Sequence, residues 1–132
     1  MSDLITITTI SNDGLGKSCF GHRQYPTDLK GGMTLTDRID ALNFRIRASE
    51  PGYSTDYHVA GDPTLIIVQE GTIRITINNA DHRDFQPGEM FIAEDFLLKN
   101  EDFDKNLHGH KAEVLGERLF KAVHIKLSSI TG

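Results

Sequence analysis

The chain has 132 residues, with 14 Lys or Arg against 19 Asp or Glu and a formal net charge of −5, which suits one domain rather than two. Its basic residues are scattered, so it lacks the positive footprint that nucleic acid or an anionic membrane surface requires. One cysteine, Cys19, excludes an intrachain disulfide, and no apolar run nears the ~20 residues of a membrane span.

The start, MSDLITITTI, has neither a basic head nor a long apolar stretch, so a cytoplasmic protein is expected. In LITITTI, Ile5 and Ile7 alternate with Thr6 and Thr8, which predicts a strand. Such a strand could extend a neighbouring copy's sheet and predicts a homodimer. SNDGLGKSCFGHRQYPTDLKGGM is broken by Gly and Pro and reads as a loop with short extended pieces. In DRIDALNFRIRAS, Leu42, Phe44 and Ile46 fit one face of a strand, with Asn43, Arg45 and Arg47 on the other. Arginines in this pattern, like Arg74 further on, more commonly face outward.

TLIIVQ and TIRITIN, joined at Glu70-Gly71, form the most strongly patterned hairpin. RDF, MFIA and RLFKAVHIKL follow as strands, with turns at NNADH and QPGE. The four prolines (Pro26, Pro51, Pro63, Pro87) are expected between the periodic segments, where a missing N–H costs little. Phe96 to Gly116 is polar and irregular, a long loop expected to be mobile and to border a site. Many short strands between turns indicate an all-β sandwich or barrel. The chain reads as one domain over 1–132, an N-terminal arm of about 1–40 and a barrel of about 42–127.

Gly52, His58, Glu70-Gly71 and FQPGEMFIAED then give a resemblance to the cupin family, over roughly Leu42 to Leu127. That resemblance implies a double-stranded β-helix, or jelly-roll barrel. In the family's first motif five residues separate a glycine from a His-x-His pair, a spacing that Gly52 and His58 keep. Residues two apart on a strand share a face, so such a pair can grip one metal. Here Ala60 replaces the second histidine and Thr64 the glutamate; Glu94 and Lys99 replace a proline and histidine of the second motif.

The resemblance therefore implies a degenerate metal site, with His58, Thr64, Glu94, His108 and His110 around a small polar organic molecule. His58 is expected to face Glu94 and one of His108 or His110. No metal is assigned; a divalent metal on His58 with Glu94, His108 or His110 is the alternative. Three functions follow: a metal-independent isomerase-like or lyase-like enzyme or sensor, a metal-dependent oxygenase or isomerase, and a non-catalytic binding or storage module. Fold alone does not choose among them. His124 reads as structural and His82 as solvated. No nucleophile elbow, phosphate loop or zinc-protease motif is present.

Overall fold

Ten strands and no helix make up the regular structure of the computed structural model, which describes residues 4–78 and 80–128. The strands are β1 (Leu4–Asn12), β2 (Ser18–Lys30), β3 (Met33–Thr36), β4 (Ala41–Ser49) and β5 (Thr64–Glu70), then β6 (Thr72–Ile77), β7 (His82–Phe85), β8 (Met90–Ala93), β9 (His110–Leu115) and β10 (Phe120–Leu127). Among the described residues no helix is long and apolar enough to cross a membrane.

A seven-stranded sheet has the order β3-β2-β1-β8-β5-β10-β4, and a three-stranded sheet the order β7-β6-β9. Isolated bridges Ser54–Glu113 and His58–His110 lay residues 53–58 antiparallel beside β9 as an irregular fourth strand. From β4 onward the chain passes repeatedly between the two sheets. That winding is a double-stranded β-helix, so the all-β jelly-roll expectation is met. The sheets face each other across a core, and no ladder among the described residues closes them into a barrel.

Strand alternation decides what each sheet contributes. Ile73, Ile75 and Ile77 turn inward from β6, with Thr72, Arg74 and Thr76 outward. Val68, Phe91, Ala93, Phe120 and Ala122 meet them from the larger sheet. Phe85 stacks on Phe91 with ring centroids 4.3 Å apart. Each large apolar side chain buried here is worth roughly 1.5–3 kcal/mol, and a one-residue slip would turn β6's isoleucines to solvent. Ile7, Ile92 and Leu127 form a smaller cluster on the outer face of the larger sheet.

Four sequence expectations change. The Gly/Pro-rich stretch is largely the 13-residue strand β2, in register with β1 from Asn12–Ser18 to Leu4–Pro26. Gly21 fits because a Cβ there would stand 3.1 Å from Thr9 Oγ1. Pro26 lies inside β2, opposite Leu4 at the end of the β1 ladder and just beyond the register of β3, not between the periodic segments. β1 is no free edge, since β2 and β8 flank it. The stretch from Phe96 to Gly116 contains β9, and side chains tie down its loop: Asn12 bonds both the N–H and the carbonyl of Phe96.

Candidate functional site between the two sheets

β8 sets the parity of the residues after it. Phe91 and Ala93 face the core, so Glu94 falls on the outer face and Asp95 returns inward. Glu94 binds Arg23 of β2 through two hydrogen bonds, 2.8 and 3.1 Å, on the side away from His58. The expected Glu94–His58 pair is absent because a strand reverses faces at every residue. Asp95 is the carboxylate that enters the site, with 0% of its surface exposed.

Asp95 accepts three hydrogen bonds: from Ser18 Oγ (2.8 Å), the Ala60 N–H (3.0 Å) and His110 Nδ1 (3.0 Å). A carboxylate removed from water needs such partners, since burial otherwise penalises its charge heavily. Ser18 Oγ also accepts the Gly109 N–H at 2.7 Å. The network thus joins β2, the residues after β8 and the start of β9.

His58 and His110 exchange backbone hydrogen bonds of 3.0 and 2.9 Å, and their rings stand 4.6 Å apart. The glycine of His-Gly-His makes this approach feasible. Gly109 has φ +91°, and a Cβ there would lie 2.9 Å from the His58 nitrogen. His58 Nδ1 donates to the carbonyl of Asp56 at 2.9 Å, while His110 Nδ1 donates to Asp95. These bonds place a proton on Nδ1 of each ring, so in the neutral ring Nε2 is the acceptor. His110 is buried and His58 is exposed at the rim.

Both histidines line a cavity of about 100 Å³. The smaller sheet adds Ile73, Ile75 and Ala112 to its wall, and the larger adds Ile66, Phe91 and Phe120. Arg47 and His124 enter from β4 and β10. Burial, then the charges of Arg47 and Arg45, push the His124 pKa down to about 4. Arg45 and Arg47 thus lie on the inner side of β4, opposite to the outward placement expected. Leu42, Phe44 and Ile46 take the outer side, at 63, 70 and 58% exposure.

Thr64 lines a neighbouring polar groove with Asn43, Arg45 and Lys126, and His124 lines both spaces. His108 is buried outside the cavity. Its Nδ1 accepts the Asp104 N–H at 2.9 Å and its Nε2 stands 3.2 Å from Glu101. Of the five expected residues, only His58 and His110 meet at the cavity. Asp95, Arg47 and His124 join them in the site, although by sequence His124 reads as structural and Arg47 as outward and Asp95 stands beside Glu94 as an equal candidate; counting by two from Ala93 favours Asp95.

An imidazole whose Nδ1–H is held by an oxygen is also oriented as metal-binding histidines are. Here Ala60 and Thr64 offer no such ligand, and Glu94 and His108 are engaged elsewhere. Among the described residues no group of three or more His, Cys, Asp or Glu is placed to hold an ion. The donors present do not make up the family's usual set of three histidines and one glutamate, from which Ala60 and Thr64 depart.

No family model matches the chain, and no curated protein does. Solved structures with a similar fold include a cupin superfamily protein from Desulfitobacterium hafniense, 18% identical, covering 70% of this chain and 72% of its own, at a TM-score of 0.46. A cupin-2 domain protein from Shewanella frigidimarina is 21% identical over 69% and 78%, with a TM-score of 0.47. The Schizosaccharomyces pombe Cnp3 cupin domain is 10% identical over 98% and 90%, with a TM-score of 0.48. The jelly-roll assignment rests on the strand order of the chain itself.

Proposed function

We propose that this protein binds a small polar organic molecule between its two sheets, and that the Asp95–His110 pair moves a proton to or from it. The observation that carries this reading is the buried Asp95 bonded to Nδ1 of a histidine that lines a cavity. The carboxylate fixes the ring's tautomer and leaves Nε2 as a base, a role worth about 10²–10⁴-fold in rate. His58, at the rim, offers a second imidazole to the same molecule. This is the isomerase-like or lyase-like reading, and no metal enters it.

The test is NMR of the histidine Cε1–H signals during titration with small carbonyl compounds, followed by deuterium uptake at the carbon next to the carbonyl. Binding should shift the His58 and His110 signals, and His110→Ala should abolish deuterium uptake. Binding with no uptake would make the protein a non-catalytic binding module. Ligands that leave both histidine signals unmoved would end the reading altogether.

A second reading concerns assembly. Leu42, Phe44 and Ile46 form an exposed apolar row on β4, an edge strand whose other side is paired only with β10. We infer a homodimer through this edge. The same row on a second copy, related by a two-fold axis, supplies both a matching strand edge and a matching apolar face.

A further inference from the structure

The inner faces of β4, β10 and β5 align in rows across the larger sheet. Arg47 stands opposite Ala122, which stands opposite Val68; Arg45, His124 and Ile66 form the next row, and Asn43, Lys126 and Thr64 the one after. Two guanidiniums and an ammonium thus occupy one corner of the inner face. Lys126 is paired with Asp62 at 2.9 Å. Arg45 and Arg47 have no carboxylate partner among the described residues, whereas Arg23 and Arg74 each have one. Among the described residues no Asp or Glu lines the cavity. Asp95 stands behind His110, its oxygens already engaged. A chain of net charge −5 has therefore placed unneutralised positive charge at the apolar-walled cavity described above.

We propose that the occupant of this cavity is a small organic carboxylate, gripped by Arg47, with its carbon chain against Ile66, Phe91 and Phe120 and its reactive end at His58 and His110. This deepens the binding reading above and depends on it. A guanidinium presents parallel N–H groups that match the two oxygens of a carboxylate, and the apolar wall favours a carbon skeleton over an inorganic ion. The volume equals about three waters at ~30 Å³ each, which suits acids from acetate to butyrate in size. Arg45, one row further out, adds attraction at the entrance. His124 is subject to the same field: a carboxylate beside Arg47 would offset part of the positive charge that lowers its pKa.

The probes are propionate, its neutral amide propionamide, and inorganic phosphate, titrated against histidine NMR signals at constant ionic strength. Propionate should shift His58, His110 and His124 and raise the His124 titration midpoint; propionamide and phosphate should bind at least tenfold more weakly. Arg47→Gln, on an exposed strand, should weaken propionate by about ten- to hundredfold and leave propionamide unchanged, while strand dispersion in the spectrum shows the fold intact. Equal affinity for propionate and propionamide, phosphate binding more tightly than propionate, or an unchanged Arg47→Gln variant would each overturn the carboxylate assignment while leaving the cavity as a binding site. If neither these probes nor neutral carbonyl compounds move the cavity histidines, the binding reading itself falls, and this inference with it.

Discussion

Replacing Asp95 tests the site and the fold together. Asp95→Ala leaves the Ala60 N–H and His110 Nδ1–H facing a void, since both bond to the Asp95 carboxylate at 3.0 Å. Each stranded buried donor costs about 1–3 kcal/mol, or about 4 kcal/mol for the two at mid-range. For a domain of this size, at ~3–5 °C per kcal/mol, the melting temperature should fall by roughly 10–20 °C. Asp95→Asn is the more informative change. If its amide oxygen keeps the Ala60 N–H, its NH₂ group faces Ser18 Oγ and His110 Nδ1. The serine hydroxyl can turn to accept, and His110 can accept only by moving its proton to Nε2. The expected cost is about 1–2 kcal/mol, with the ring presenting a donor instead of a base to the cavity. Thermal denaturation reads the stability, and long-range ¹H–¹⁵N correlation reads the tautomer. An Asn variant still protonated at Nδ1, or an Ala variant that melts within about 2 °C of the parent, would refute the buried-network argument.

Gly109→Ala should destabilise by at least the ~1–2 kcal/mol of a left-handed non-glycine residue, with more from the clash against His58; chemical denaturation and loss of nuclear Overhauser contacts between the two rings would show it. Stability should also depend on His124. Its folded pKa of about 4 lies below the ordinary 6.5, so the unfolded chain binds more protons between those values. That contribution is complete above pH 6.5 and is lost as the pH falls toward 4; His124→Gln should flatten the fall in melting temperature over this window, and an unchanged slope would contradict the assignment. Sedimentation should give a species of twice the 14.7 kDa chain, and Phe44→Glu should yield monomers. A wild-type chain sedimenting only as a monomer at micromolar concentration would dismiss the dimer.

The sequence determined the strands that carry their own periodicity. TIRITI alternates without ambiguity, and the Glu70-Gly71 turn before it allows one sharp reversal, because a Cβ on Gly71 would lie 2.6 Å from the Leu119 carbonyl. The jelly-roll class was legible at that level, and so was the presence of His58 and His110 near one end of the patterned strands. β2 was not: glycine and proline break the local pattern, and it is a strand because β1 lies alongside to pair with it. Nor could alternation alone say which side of a strand is inside. Leu42, Phe44 and Ile46 would point inward by hydropathy, yet the sheet places Arg45 and Arg47 there and leaves the apolar row exposed. The same ambiguity of one residue exchanged Glu94 for Asp95. Local sequence fixes the period of a strand, but its phase relative to the core depends on which strands pair and in what register, and that only the tertiary structure decides.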